Sequence, residues 1–237
     1  DKLFFQDILF FEKEFGGIMP LEILIDTKKK NGVLKLSTLK KIEKLTEAID
    51  LIPDLSPAIS VNKLVKYAKQ AFYNGNPKYY QLPTSQEKNF LLAYLKNTPE
   101  STNTLENIVD STGRYARITT YMKDVGTDKM ERIQERLQAV IDKEFPSEKF
   151  EVTLTGKALV FLRGTTYLIN NLVISLSLAI LLISLFMGWM FRSLRMIFVS
   201  LIPNLLPLLV TAGLMGYLGI PIKPSTILVF SIAFGIS

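Results

Sequence analysis

The sequence predicts an α+β domain outside the cytoplasm, followed by a partial α-helical transmembrane bundle. Three observations carry that prediction. From Asn170 to Ser237 there is no Asp or Glu, and only Arg192, Arg195 and Lys223 bear charge. Residues 1–169 hold 25 of the 28 Lys and Arg and all 22 Asp and Glu, the mixture of an ordinary water-exposed domain. Within that first part, apolar residues recur in some stretches at helical spacing and in others at strand spacing.

Taken in order, Leu3, Phe4, Ile8, Phe11 and Phe15 mark a first helix, which Gly16-Gly17 stops. Pro20 to Asp26 is rich in branched residues and reads as a strand. Ser37 is the expected N-cap of an amphipathic helix through Leu39, Ile42, Leu45 and Ile49, ended by Pro53 and Pro57. Val61 to Phe72 is a third helix, Gly75-Asn76-Pro77 a turn, and Ser85 to Leu95 a fourth helix capped by Ser85. Leu105 to Val109 and Arg114 to Met122 flank Asp110-Ser-Thr-Gly113 and read as a hairpin of two strands. Thr127 to Phe145 places Met130, Ile133, Leu137, Val140 and Ile141 on one helix face, and Pro146 ends it. Phe150 to Thr155 alternates as a half-buried strand. Strand 114–123, helix 127–145 and strand 150–155 make a split βαβ unit, and strand 20–26 with helix 37–52 resembles half of another, so ferredoxin-like subdomains are expected.

Gly156 to Leu168 reads as a helix running without a breaker into the first membrane span. A bilayer core about 30 Å thick needs ~20 apolar helical residues. The expected spans are 168–191, 196–218 and 225–237, giving domains 1–167 and 168–237. The third apolar stretch, 14 residues from Pro224, covers roughly 21 Å and is expected to continue beyond Ser237. With Asp1 rather than Met at the start, the chain reads as an excerpt from a longer protein. Arg192-Ser-Leu-Arg195 reads as a short loop, and its two arginines place it in the cytoplasm by the positive-inside rule, which puts residues 1–167 outside.

The composition excludes several classes. No His and no Cys means no zinc site of those ligands, no haem ligation by His, no disulfide and no Ser-His or Cys-His catalysis. Asp26, Asp50, Asp54, Glu131 and Asp142 show no paired spacing for acid–base work and read as solvated surface charges. Lys28-Lys29-Lys30 beside Asn31-Gly32 reads as a solvated turn, and no basic stripe interleaved with aromatics suggests nucleic acid. Thr155-Gly156-Lys157 has Glu151 where a phosphate loop needs its first glycine, so it reads as a helix start after a strand. No enzyme and no cofactor are expected.

The second span is unusual. Pro203, Asn204 and Pro207 lie near its middle; each proline frees a backbone carbonyl, and Asn204 is expected to face a helix bundle or a polar path rather than lipid. Gly213, Gly216 and Gly235 would allow close helix packing.

Taken together, Phe191-Arg-Ser-Leu-Arg195, Leu201-Ile-Pro-Asn-Leu-Leu-Pro207, Met215-Gly-Tyr-Leu-Gly-Ile-Pro221 and Ser225-Thr-Ile-Leu-Val-Phe-Ser-Ile-Ala-Phe-Gly-Ile-Ser237 resemble the RND superfamily. The nearer match is its MMPL/Patched-like predicted exporters, which share a sterol-sensing-type membrane domain. Gly16-Gly-Ile-Met-Pro-Leu-Glu-Ile-Leu-Ile-Asp26 is similar to the start of a porter domain there. The resemblance implies a porter domain followed by the second, third and fourth helices of a six-helix half. It also implies a proton-driven exporter of hydrophobic or lipid-like substrates in a bacterial cytoplasmic (inner) membrane, with dimers or trimers as the family habit. The acidic proton-relay residues of such proteins would follow the Gly-Ile-Ser, and no carboxylate lies within the spans here. The rival expectations are a sterol-sensing-type lipid sensor that does not pump, and a membrane-anchored scaffold whose outer domain binds protein. The partners expected are the lipid bilayer, a lipid-like substrate and the rest of the same polypeptide.

Overall fold

The computed structural model describes residues 2–87, 105–220 and 223–236. The elements run α1 (Lys2–Phe15), β1 (Met19–Asp26), α2 (Leu36–Asp50), α3 (Val61–Phe72), β2 (Tyr115–Met122), α4 (Thr127–Glu144), β3 (Glu151–Thr155), α5 (Lys157–Phe191), α6 (Leu194–Tyr217) and α7 (Pro224–Ile236). They form a mixed α/β protein in two compact units, residues 1–125 with 131–160, and residues 126–130 with 161–237.

The first unit is built on a three-stranded sheet of order β2-β1-β3, with β1 antiparallel to both neighbours. Strands β2 and β3, joined through α4, therefore run parallel with β1 between them, which is the geometry of a split βαβ unit. Alternation sorts the strands: Leu21, Ile23 and Ile25 of β1 lie opposite Thr120, Ile118 and Ala116 of β2, and all six are buried. Leu39, Ile42, Leu45 and Ile49 supply the buried stripe of α2, and Met130, Ile133, Leu137 and Ile141 that of α4. The last residue of α4 is tied to the middle of α2: Lys44 Nζ meets Glu144 at 3.0 Å, and Lys41 Nζ donates to the Glu144 carbonyl.

The second half-unit expected around β1 and α2 has no regular second strand among the described residues. The outer edge of β2 is covered by two short pieces, Val109 against Ala116, and Leu55 and Ile59 against Met122 and Thr119. Pro53 and Pro57 have no N–H to give a ladder, which limits that edge to isolated bridges. Thr120 is satisfied there, donating to the Ser56 carbonyl at 2.6 Å.

The expected strand 105–109 is corrected. Leu105 and Glu106 are helical, and the Leu105 carbonyl accepts from both Ile108 N (3.0 Å) and Val109 N (2.7 Å). Ile108 and Val109 are both buried, and consecutive strand residues would point to opposite faces. The turn itself forms as expected, with Gly113 N donating to the Asp110 carbonyl at 2.9 Å. Ser37 is not the cap of α2. Lys35 holds that position because the turn Lys35 N to Gly32 O brings the chain into the helix early, leaving Ser37 inside the first turn. The expected helix 85–95 falls largely outside the described residues; Thr84 and Glu87 make the reciprocal bonds of a capping box, Thr84 N to Glu87 Oε2 at 2.8 Å and Glu87 N to Thr84 Oγ1 at 3.3 Å.

Candidate functional site: the membrane helices

α5 is 35 residues long and begins directly after β3. Its apolar stretch has a mean hydropathy of 2.4 and none of it is buried within the chain. Half-buried residues recur at Leu172, Leu176, Ala179, Ile180, Ile183, Ser184, Met187 and Gly188, one face of the helix. The remaining face is exposed and equally apolar, with Val173, Ile174, Leu178, Leu182 and Leu185 all more than half exposed. A helix facing water would turn charge outward there; an all-apolar helix belongs in lipid. Tyr167 and Trp189, 68% and 77% exposed, bracket this stretch. They are separated by roughly 33 Å of helix rise, close to the thickness of a bilayer's hydrocarbon core. Two of the three hydroxyls in between are satisfied inside the helix: Ser175 donates to the Leu172 carbonyl at 3.0 Å and Ser184 to the Ile180 carbonyl at 2.7 Å. Only this helix is long and apolar enough to cross a membrane outright among the described residues.

The loop after it is shorter than expected. Arg192 takes a left-handed conformation (φ +47°), Ser193 occupies the N-cap position, and α6 begins at Leu194. Arg192 is therefore in a two-residue turn and Arg195 in the first turn of α6, since Ser193 already starts the helix. At this turn Ile197 Cδ1 lies 3.3 Å from where a Cβ on Gly188 would be.

α6 qualifies as a span only as a bent pair, Ile197–Pro203 and Leu205–Tyr217, meeting at 40°. The bend falls where Pro203, Asn204 and Pro207 cluster, and each proline removes an i to i−4 bond. Thr211 Oγ1 donates to the Pro207 carbonyl at 2.7 Å, the back-bonding that bends helices further. α6 is in contact with α7, and Leu208 and Ile227 are buried. A Cβ at Gly213 or Gly216 would meet open space. α7, of 13 residues, contains Gly235 and is too short to cross by itself.

The MMPL family model matches residues 35–236 of the chain. The chain belongs to the MMPL family. Among curated proteins none matches it. The kinship expected from the proline-rich helix and its flanking motifs therefore holds, and the match runs from the N-cap of α2 to the end of α7.

Two charged pairs in this MMPL chain escaped the sequence. Asp26 is not a solvated surface charge. It is 7% exposed and held in a fork by Arg114, Nε to Oδ1 at 2.7 Å and Nη2 to Oδ2 at 2.6 Å. That guanidinium, helped by the Lys28 N–H and opposed by burial, holds the carboxyl below the usual Asp range. The second pair joins Lys69, whose side chain is 3% exposed, to Glu87 at 2.8 Å. The Lys69 ammonium and the Thr84 N–H bring Glu87 down to about 2. The spacing Thr84-x-x-Glu87 was the available signal for the second pair; the first depends on strand register, which puts Asp26 opposite Tyr115.

Proposed function

We propose that this chain is part of a proton-driven RND-type exporter of hydrophobic or lipid-like substrates. In this reading residues 1–167 form an α+β porter domain outside the cytoplasm that captures substrate. Residues 168–237 supply part of the membrane domain, in a bacterial inner membrane. The protein is a carrier rather than an enzyme, its partners being the bilayer, the lipid-like substrate and the rest of its own polypeptide. Pro203, Asn204 and Pro207 shape the inner helix beside the proton relay, Gly213, Gly216 and Gly235 admit neighbouring helices, and Arg192 and Arg195 keep their turn in the cytoplasm.

The observation that supports this reading best is the continuity of α5. A single helix leaves the sheet at Gly156 and runs unbroken through an apolar stretch of membrane length. An unbroken helix transmits rotation, so movement in the membrane would be felt at β3. Leu162→Pro breaks α5 in the segment between sheet and span. Export of a fluorescent phospholipid analogue from energised vesicles, using the complete gene product, is expected to stop in this variant while membrane insertion is retained. Retained export would refute the coupling. Binding of the lipid by the unmutated protein without proton-dependent efflux would refute the pump and favour the lipid sensor.

A further inference from the structure

A cavity of about 130 Å³, roughly the share of four waters, opens between the turn after β1, the first turn of α2 and the segment before β3. It is lined by Thr27, Lys29, Gly32, Lys35, Ser37, Thr38, Lys149 and Phe150, with no acidic residue among them. Four features converge on it. The ammonium groups of Lys29, Lys35 and Lys149 make no ion pair or hydrogen bond among the described residues. Among the described residues the N–H groups of Leu36, Ser37 and Thr38 donate to no acceptor, because α2 has no side-chain cap and its first bond from a backbone N–H is Leu39 N to the Lys35 carbonyl. The positive end of the α2 dipole points the same way. Thr38 is 3% exposed and its hydroxyl has no partner, yet it is not sealed in: among the described residues only Thr165 Oγ1 is fully enclosed without one.

Three free N–H groups at a helix start normally find a cap, and beside them the Thr38 hydroxyl reaches solvent with its hydrogen-bonding capacity unused by the protein. Here the sequence puts Ser37 and Thr38 two and three residues too late to cap, and puts Lys at the N-cap itself. A ligand that accepts several hydrogen bonds and carries more than one negative charge answers all of these groups together. A carboxylate has two oxygens to offer; a phosphoryl group has three or four and up to two charges. The geometry points to this cavity as a binding site for a phosphoryl group, held by the α2 N-terminus, Ser37, Thr38 and Lys29, Lys35 and Lys149. The group comes either from a lipid headgroup or from free phosphate. The site does not depend on the chain being a pump, so it stands or falls separately from the transport reading.

The test uses the full chain in nanodiscs of phosphatidylcholine. Inorganic phosphate is titrated by calorimetry, and binding to vesicles of phosphatidylcholine with and without phosphatidate is measured alongside. Saturable phosphate binding supports a free-phosphate site, and binding confined to phosphatidate vesicles supports a headgroup site. In either case Lys35→Gln with Lys149→Gln is expected to weaken affinity at least tenfold. Thr38→Val, which keeps the shape and removes the hydroxyl, is expected to weaken it several-fold with α2 amide protection unchanged. Lys78→Gln, an exposed lysine outside the cavity, is expected to leave it within twofold. No binding in either arm overturns the proposal. So does a Lys78→Gln loss as large as that of the double variant, which would mean diffuse surface charge, or unchanged affinity in both the double variant and Thr38→Val.

Discussion

Replacing Gly156 by alanine tests whether the joint between β3 and α5 requires a residue without a side chain. Gly156 has φ +104°, and a Cβ there would lie 2.6 Å from the Pro20 carbonyl oxygen and 2.9 Å from Glu22 N. Ordinary contact begins at 3.4 Å, so the β1 backbone would have to retreat by about 0.8 Å. β1 is the central strand, bonded on both edges, and has no flexible tip to give way. The left-handed conformation costs an L-residue ~1–2 kcal/mol and the overpacking ~1–3 kcal/mol, about 2–5 kcal/mol together. That corresponds to a roughly 30- to 4,000-fold larger open population. Native-state hydrogen exchange of the β1 and β3 amides, on the full chain in detergent micelles, reads this directly. Gly164→Ala is the control. A Cβ at Gly164 meets nothing within 4 Å, and a glycine-to-alanine change inside a helix should gain up to ~1 kcal/mol. If Gly156→Ala leaves β1 and β3 exchange within about twofold of the parent, well under ~0.5 kcal/mol, the close-approach argument fails.

The charged pairs make pH predictions. The folded-state pKa of Asp26 lies below its ordinary value, so its contribution is present above the ordinary Asp range and is lost as pH falls through the folded value. Arg114→Met removes the first cause of that depression and should move the acid unfolding limb to higher pH, followed by circular dichroism; an unmoved limb would contradict the role given to the fork. Glu87 follows the same sign, its contribution fading as pH falls from the usual Glu range toward about 2. Glu87→Gln leaves Lys69 buried without its counter-charge and should lower urea stability at neutral pH by ~3 kcal/mol, with the loss narrowing at pH 2; equal stability at neutral pH would show that Lys69 escapes to water. Thr165 Oγ1 is buried without a partner among the described residues, so Thr165→Val should be neutral or stabilising by up to ~1 kcal/mol in thermal unfolding. A loss of that size would mean that the hydroxyl has a partner.

The parts of the fold that were legible in the sequence are those set by short-range pattern. β1, α3, α4 and β3 alternate or recur at one period, and Gly16-Gly17, Pro146 and Gly156 punctuate them where expected. The parts that were not legible depend on partners far along the chain. Asp26 and Arg114 are 88 residues apart and meet only through the β1–β2 register. The edge beside β2 looks like loop in sequence because Pro53 and Pro57 deny it a ladder. Leu105 to Val109 misled because two adjacent apolar residues fit a buried helical turn as well as a strand. In the membrane part, the charge-free stretches located α5 and α6. Composition could not reveal that Ser193 would start α6 early and draw Arg195 into its first turn.

In the proposed topology α5 crosses a bilayer and the Arg192-Ser193 turn lies in the cytoplasm. The sequence has no cysteine, so single cysteines can be introduced without background. Ser147→Cys lies on the exposed turn before β3, and Ser193→Cys sits at the start of α6, where its side chain makes no capping bond. Labelling with a membrane-impermeant maleimide in intact cells should modify Ser147→Cys at once, and Ser193→Cys only after the membrane is permeabilised. Labelling of both from the same side in intact cells would contradict the crossing and the account built on it.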